Sequence, residues 1–268
     1  MRFWGKNNWN ESENAGNANG RIYMEYIASG AQADIYKDGS KAIKLFKNIC
    51  QKENVEYEFN LQKMAFDYGL PVPEIFDIVE INGKTGIVME YINGISIGNL
   101  LLEDITKFEE YLVKSIEIQD SIHKIETDKF PLMKDIQKRQ ISSANKFTET
   151  DKEKILIKLE DTIYDNKLCH GDFHVFNLIQ TSNGIKIIDW VNASSGNPDA
   201  DIYRTYLIYK LNKEEIAEIY LETYCKIMKL DKLKILSWST IIAGARLGEY
   251  VKDEKEEYLL KDIIKNNI

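Results

Sequence analysis

Cysteine and histidine are scarce in this sequence. Three cysteines and three histidines occur among 268 residues, and no two cysteines are separated by only two residues. This scarcity argues against a disulfide framework or a zinc site built on cysteine pairs, and it favours a reducing compartment. No apolar run approaches the length of a membrane span, and no basic-then-apolar leader opens the chain, so we expect a cytoplasmic protein.

An excess of positive charge is also absent. The 43 acidic and 35 basic side chains give a formal net charge of −8. Nucleic acids and anionic membranes select for basic surfaces, so we expect neither as a partner. The acidic balance suits a cationic small molecule, and we expect a monomer or a weak dimer.

Residue patterns divide the chain into three stretches. Residues 1–20 form an Asn-rich polar arm without a hydrophobic period. Residues 21–92 predict five short strands and one helix, with Asp38-Gly39 and Asn82-Gly83 as hairpin turns. Residues 93–268 predict a mostly helical region. The expected fold class is therefore α+β, with a small antiparallel five-stranded lobe and a mainly helical lobe.

Apolar periodicity and stop signals give the approximate extents of the helices. In the first lobe a helix is expected from about Lys52 to Tyr68, with Gly69 as its stop signal. In the second lobe a non-helical island at 167–196 is expected to hold two short strands around the turn Ser182-Asn183-Gly184. The helices expected in the second lobe cover about 98–124, 133–146, 151–165, 199–211, 213–229, 232–248 and 253–266.

The island holds the strongest chemical signal. Asp172 precedes Asn177 by five residues, and Asp189 follows twelve residues later at the end of an apolar strand. Phosphoryl transfer requires such a set. One carboxylate orients the acceptor hydroxyl and takes its proton, while an amide oxygen and a second carboxylate are hard ligands for Mg²⁺.

The segment His170-Gly171-Asp172, with Asn177 and Asp189, resembles the catalytic loop and metal-binding segment of the aminoglycoside phosphotransferase and choline kinase superfamily. The resemblance runs from about Tyr23 to the end of the chain and implies a protein-kinase-like two-lobe fold. It implies that Asp172 is the catalytic base, that Asn177 and Asp189 hold Mg²⁺, and that His170 is structural. Protein kinases carry Arg after that His and Phe-Gly after the metal Asp, so Gly171 and Trp190-Val191 favour a small-molecule kinase.

The resemblance also implies a nucleotide grip for ATP or GTP in the first lobe. Lys44, at the end of Lys41-Ala42-Ile43-Lys44, is the expected phosphate-binding lysine. Glu58 on the following helix is its expected partner, and Glu56 is the alternative. Such a pair positions the lysine ammonium against the α- and β-phosphates.

Two further segments complete the expected nucleotide site. Gly30 lies in a tight turn that occupies the place of the glycine-rich loop, where free backbone N–H groups could cap phosphates. Glu90 and Ile92 lie at the end of the last strand, where kinases bind the purine through backbone groups.

Four residues around the island are expected to support the site rather than react. Asp201 matches the family Asp that braces the backbone of the catalytic loop. His123 is expected to be a core histidine, His174 a hydrogen-bonded spacer, and Cys169 a small buried hydrophobic residue.

The acceptor is the least specified part of the sequence. Among the many carboxylates of the C-terminal helices, Glu249 follows an apolar stretch and is the expected acceptor contact. The leading hypothesis is a phosphotransferase acting on a small-molecule hydroxyl, such as that of an aminoglycoside. The alternatives are a metabolic kinase for a choline-like amine, thiamine or a sugar, and a catalytically silent binding module. The silent module is disfavoured because Lys44, Asp172, Asn177 and Asp189 are all present.

Overall fold

The structure, a computed structural model, describes residues 24–30, 32–47, 50–249 and 253–267. The predicted arm at residues 1–20 lies outside these ranges. The chain divides into two compact units. The sheet unit contains the described residues up to Asp104 together with Val175–Val191, and the helical unit contains Ile105–His174 and the described residues from Asn192 onward.

The sheet unit is built on five antiparallel strands in the order β1-β2-β3-β5-β4. Both hairpin turns lie where the sequence predicts them. The second hairpin turns at Asn82 and Gly83, which both have positive φ, the backbone geometry that two-residue hairpins favour. The strands are β1 (Glu25–Ser29), β2 (Ala33–Asp38), β3 (Lys41–Phe46), β4 (Ile75–Ile81) and β5 (Lys84–Glu90).

One helix, α1 (Lys52–Asp67), packs on this sheet between β3 and β4 in the chain. It buries Val55, Leu61 and Ala65 completely or nearly so. It ends at Asp67, and Gly69, two residues further on, has a φ of 77°, the left-handed conformation that stops helices. The predicted helix and its stop signal are therefore confirmed.

A smaller three-stranded sheet in the same unit carries part of the island. Its order is β6-β8-β9, from β6 (Ile95–Ser96), β8 (Leu178–Thr181) and β9 (Gly184–Ile187). The hairpin β8–β9 forms around Ser182-Asn183 as predicted, whereas β6 was not predicted. A helix, α2 (Ile97–Glu103), and a 3-10 turn at Val175–Asn177 pack beside this sheet.

The helical unit contains eight helices among its described residues and one two-stranded sheet, formed by β7 (Lys167–Cys169) and β10 (Ser194–Gly196). Its core joins fully buried side chains from several helices, including Ile116, Leu159, Leu207, Tyr220 and Ala243. The helices are α3 (Phe108–His123), α4 (Met133–Ser143), α5 (Glu149–Asp161), α6 (Pro198–Lys210), α7 (Glu214–Met228), α8 (Lys232–Leu236), α9 (Ser239–Gly248) and α10 (Glu254–Asn267).

Two predicted helices are each divided in the structure. The helix expected over 98–124 breaks at Asp104, whose extended backbone ends α2 before a short 3-10 turn leads into α3. The helix expected over 232–248 breaks at Ser237 and Trp238. Both residues keep right-handed helical backbone angles, but the Trp238 N–H donates to the Ile235 carbonyl oxygen three residues back, and the indole is buried. Both apolar patterns continue across the breaks, so periodicity alone does not reveal them.

Within the described part of the chain, no helix combines the length and the apolar character needed to cross a bilayer.

Candidate active site

In the sheet unit, strand β3 and helix α1 bring Lys44 and Glu58 together as an ion pair. Glu58 is only 4% exposed. Burial alone would lower the pKa of Lys44, but the charges of Asp189 and Glu58 outweigh it and raise this pKa. Burial raises the pKa of Glu58, against the opposing effect of the Lys44 ammonium. The lysine therefore carries its charge at neutral pH.

The alternative partner, Glu56, lies elsewhere on α1. Its carboxylate is half exposed and is 3.7 Å from the ammonium of Lys52. Helix geometry explains the choice, because residues two apart on a helix point in different directions. The structure therefore pairs Lys44 with Glu58.

Asn177 and Asp189 are held beside each other by the β8–β9 ladder. Leu178 pairs with Ile187, and the Ile188 N–H donates to the Asn177 carbonyl oxygen at 3.0 Å. Asn177 is the last residue of the 3-10 turn and is buried. The hairpin therefore places an amide and a carboxylate at the same end of two neighbouring strands.

Asp189 adopts a left-handed backbone with φ of 67°. For a residue with a side chain this conformation costs about 1–2 kcal/mol, and such strain concentrates at functional sites. No feature of the sequence indicates it.

The oxygen donors of Asn177 and Asp189 fit a magnesium ion. Amide and carboxylate oxygens are the hard ligands that Mg²⁺ prefers, and two protein ligands suffice because the ion keeps waters and phosphate oxygens. The charge of Asp189 also acts on Lys44, so the metal-ligand candidates and the phosphate-binding candidate lie in one electrostatic environment.

The turn that contains Gly30 is closed by its own hydrogen bonds. The Gly30 N–H donates to the Ala33 carbonyl oxygen at 2.8 Å, so this N–H is already engaged. The Lys47 ammonium donates to the Gly30 carbonyl at 2.7 Å and to the Ser29 hydroxyl at 3.1 Å. Lys47, which sequence reasoning missed, therefore brings a positive charge to the predicted phosphate loop.

The predicted purine-binding segment ends β5. The Glu90 N–H donates to the Glu74 carbonyl at 2.7 Å, and the Glu90 carboxylate accepts from Lys186 at 3.0 Å. The Glu90 N–H and carboxylate at this edge are therefore both engaged within the protein.

In the helical unit, the loop after β7 carries His170, Gly171 and Asp172. Gly171 has φ of 78°, and a Cβ there would lie 2.2 Å from the Asn192 carbonyl oxygen. Only glycine fits this position. The Asp172 N–H donates to His170 Nδ1 at 3.3 Å, which tightens the turn further.

Asp201 holds the backbone of this loop from helix α6. Its carboxylate accepts from the Gly171 N–H at 2.7 Å and from the His170 N–H at 3.3 Å. The residue is 1% exposed, and His123 Nε2 lies 2.9 Å from the same carboxylate. Burial opposes ionisation of Asp201, but His123, His170 and the Gly171 N–H lower its pKa. His123 is thus a core histidine, and it also supports the loop.

Asp172 lies beside cationic and potentially cationic groups. His174 Nε2 is 3.7 Å from the Asp172 carboxylate. Burial alone would raise the pKa of Asp172, but the hydrogen bond and charge of His174, with Arg204 and His170, hold this pKa at about 2. The carboxylate is therefore ionised at neutral pH and able to accept a hydrogen bond from a hydroxyl group.

Glu249 is bound by two arginines, an arrangement that sequence reasoning missed. The N–H groups on both terminal nitrogens of Arg204 donate to the carboxylate, at N···O distances of 2.8 and 3.0 Å. Arg246 also pairs with this carboxylate. Gln140 donates to it at 3.1 Å. We call Arg204, Arg246 and Glu249 the Glu249 cluster. Burial alone would raise the pKa of Glu249, but the two arginines lower it.

Close packing of α4 and α9 makes this cluster possible. A Cβ on Gly248 would lie 1.9 Å from the Gln140 carbonyl oxygen, so a side chain there would force the two helices apart. Glycine at the end of α9 thus lets Glu249 reach Gln140.

A cavity of the helical unit adjoins the catalytic-loop candidates. Its volume is about 50 Å³. Gly171, Asp201, Arg204 and Glu249 contribute to its lining. The helical unit therefore has a small cavity next to the residue that precedes Asp172.

Comparison with known proteins places these features in a family. The model of the family described as "Phosphotransferase enzyme family" matches residues 27–236. Acyl-CoA dehydrogenase family member 10 of Mus musculus is 26% identical over 180 residues, which cover 59% of this chain and 17% of that protein. The chain thus spans less than a fifth of the length of this curated relative.

Solved structures share the fold at low sequence identity. A thermostable mutant of aminoglycoside phosphotransferase APH(4)-Ia, in ternary complex with ADP and hygromycin B, aligns with a TM-score of 0.68 at 15% identity, covering 90% of this chain and 93% of that chain. Choline kinase LicA from Streptococcus pneumoniae aligns with a TM-score of 0.61 at 17% identity, covering 90% and 94%. These likenesses confirm the predicted α+β, protein-kinase-like fold.

The family match covers most of the chain, and the structural likenesses include both an aminoglycoside phosphotransferase and a choline kinase. The resemblance drawn from His170 to Asp189 is therefore confirmed, and the chain belongs to the phosphotransferase enzyme family.

Proposed function

We propose that this protein transfers the γ-phosphate of ATP or GTP to a hydroxyl group of a small molecule, with Mg²⁺ as cofactor. The observation that carries the proposal is the Asp172 carboxylate, which is held ionised on a loop whose backbone is bound by Asp201. A positioned carboxylate of this kind can orient a hydroxyl and accept its proton.

In this proposal the sheet unit binds the nucleotide. The Lys44 ammonium, positioned by Glu58, contacts the nucleotide phosphates, and Lys47 adds positive charge at the Gly30 turn. Asn177 and Asp189 would hold Mg²⁺, which when bound neutralises charge on the phosphate oxygens. Glu90, through its carbonyl, and Ile92 would bind the purine.

The helical unit supplies the base. An Asp172 pKa of about 2 makes this carboxylate a weak base that is always ionised under physiological conditions. Such a base suits phosphoryl transfer through a loose transition state, in which positioning of the hydroxyl contributes more than early removal of its proton.

The first experiment measures nucleoside diphosphate release from MgATP and from MgGTP with pooled acceptors. The pools contain aminoglycosides, choline-like amines, thiamine, sugars and macrolides, and the Asp172→Asn variant gives the blank. A pool that stimulates release well above the blank supports the proposal, and splitting that pool names the acceptor class. Thermal-shift titration with each Mg-nucleotide gives a second readout, and absence of both binding and release would contradict the proposal.

A further inference from the structure

The first turn of helix α10 places a carboxylate against helix α9. The Glu256 side chain is 10% exposed, and its Oε1 atom accepts from Arg246 Nε at 2.7 Å and lies 2.6 Å from Arg246 Nη2. The helix itself is seated by Leu260 and Ile264, which are at most 3% exposed and belong to the core of the unit. The packing of α10 therefore determines which edge of the Arg246 guanidinium is occupied.

Arg246 divides its donors between two carboxylates. The edge formed by Nε and Nη2 faces Glu256, and Nη1 donates to Glu249 Oε2. An arginine binds a carboxylate most strongly when two parallel N–H groups meet the two oxygens. Because Glu256 occupies this edge, Arg246 does not bind Glu249 in that two-bonded manner.

Arg204 does bind Glu249 in the two-bonded manner. Its Nη1 donates to Oε1 at 2.8 Å and its Nη2 donates to Oε2 at 3.0 Å. Such a pair fixes the plane of the guanidinium as well as its distance from the carboxylate. A second arginine that bound in the same way would compete for the same two oxygens and would loosen Arg204.

Arg204 shares helix α6 with the residue that holds the catalytic loop. Asp201 lies one helical turn before it, and the Asp201 carboxylate accepts from the Gly171 N–H at 2.7 Å and from the His170 N–H at 3.3 Å. The charge of Arg204 also acts on Asp172. A shift of Arg204 with α6 therefore changes both the backbone support of the loop and the charges around Asp172.

We infer that Glu256 is a positioning residue for Asp172. By holding Arg246, it leaves Glu249 in its two-bonded contact with α6, and α6 in turn keeps the catalytic loop in place. The inference rests on the proposed function, in which Asp172 is the base, and it gives helix α10 a part in that reaction.

The test compares Glu256→Ala with Glu257→Ala at the next position of α10. Glu257 pairs with Lys146 and Lys261, so its substitution removes a carboxylate from the same helix without removing the partner of Arg246. All variants are compared at a temperature at which circular dichroism shows each of them to be folded.

Two quantities are measured for each variant. The first is steady-state ADP release from MgATP with the acceptor pool that stimulates it in the wild type, which gives kcat and the KM for MgATP. The second is amide hydrogen exchange of the loop peptide at 168–174, which requires no acceptor and reports on the backbone that Asp201 binds.

Glu256→Ala frees Arg246 to bind both oxygens of Glu249. We expect kcat to fall roughly two- to thirtyfold, the range for substitutions that act on a site through a contiguous network, with the KM for MgATP unchanged. Exchange in the loop peptide should become faster. Glu257→Ala should leave kcat, KM and loop exchange at their wild-type values.

A double variant separates positioning of the loop from simple anchoring of α10. In Arg246→Ala/Glu256→Ala no second guanidinium competes for Glu249, so kcat and loop exchange should return toward wild type although α10 has lost its ion pair with α9. If Glu256 only anchored the helix, the double variant would be at least as impaired as Glu256→Ala.

Three outcomes overturn the inference: unchanged kcat and loop exchange in Glu256→Ala, equal losses in Glu257→Ala, or a double variant that does not recover. If Glu256→Ala does not fold, Glu256→Gln, which keeps the shape of the side chain and removes its charge, replaces it in the same comparisons. Failure of every pool to stimulate ADP release in the wild type would instead contradict the proposed function. Loop exchange would then still decide whether Glu256 positions the loop.

Discussion

Two carboxyl groups, Glu58 in the sheet unit and Asp172 in the helical unit, have pKa values displaced in opposite directions. Burial by itself acts to raise the pKa of both groups. Glu58 is opposed by one ammonium, that of Lys44, while the negative charge of Asp189 adds to the effect of burial. Asp172 interacts with His174, Arg204 and His170, which together lower its pKa to about 2. Burial therefore decides the direction of the pKa shift at Glu58, whereas the neighbouring His174, Arg204 and His170 outweigh it at Asp172.

The opposite pKa shifts suit the two carboxyl groups to different roles. Glu58 forms an ion pair with Lys44 and is suited to positioning that ammonium. Asp172 stays ionised and is suited to accepting a hydrogen bond from a hydroxyl. Substitutions in the two units should therefore change different kinetic constants.

The largest effect is expected from Asp172→Asn. The amide cannot accept the proton of the acceptor hydroxyl, so kcat should fall roughly 10²- to 10⁴-fold. Binding of the Mg-nucleotide should be retained, because the predicted nucleotide contacts belong to the sheet unit. Steady-state kinetics and thermal-shift titration with MgATP measure the two quantities. Near-normal turnover in this variant would show that Asp172 is not the base.

Glu249→Gln should have the largest effect on stability. It removes the carboxylate charge that Arg204 binds, while Arg246 keeps its pair with Glu256, and breaking a buried ion pair from one side costs about 3 kcal/mol or more of unfolding free energy. Glu56→Gln, at a half-exposed position, should change stability by less than about 0.5 kcal/mol. Urea unfolding of both variants provides the measurement, and equal midpoints would contradict the importance of the Glu249 cluster.

Glu58→Gln tests the positioning role in the sheet unit. With its partner uncharged, Lys44 loses part of its orientation, so the KM for MgATP should rise roughly tenfold while the KM for the acceptor stays constant. Glu56→Gln again serves as the control and should change neither constant. A rise in the acceptor KM of Glu58→Gln would contradict the proposal that the sheet unit acts on the nucleotide and the helical unit on the acceptor.

The smallest effect is expected from His174→Gln and concerns pH. The folded pKa of Asp172, about 2, lies below its ordinary value of 3.8, so its ionisation stabilises the fold above about pH 4 and this contribution is lost as the pH falls through 2. Without the charge of His174, the pKa should rise toward 3.8. Acid unfolding followed by circular dichroism should therefore begin at a higher pH than in the wild type. An unchanged acid transition would show that His174 does not act on Asp172.

Local sequence signals predicted the elements of the sheet unit well. Asn82-Gly83, Gly69 and the Ser182-Asn183-Gly184 turn each act through the conformation of one or two residues, so their consequences appear at the same place in the structure. The Lys44–Glu58 pair joins neighbouring elements only 14 residues apart. Prediction was weaker where apolar periodicity continued through a break, as at Asp104 and Trp238.

The helical unit contains the features that sequence reasoning missed. Arg204 and Glu249 are 45 residues apart, and Gln140 and Glu249 are 109 residues apart. Glu249 remains a predicted acceptor contact, and the structure adds that it binds two arginines. No local pattern distinguishes such a carboxylate from the solvated ones on neighbouring helices.

The sequence by itself determined the reaction type expected for this family and the identity of the main polar residues. Asp172, Asn177 and Asp189 lie in one short segment, so their spacing can be read without the fold. The tertiary structure decided which carboxylate pairs with which cation, the left-handed backbone of Asp189 and the cavity lined by Gly171 and Arg204. The physical reason is that these properties arise from charges and backbone atoms that packing brings together from distant parts of the chain.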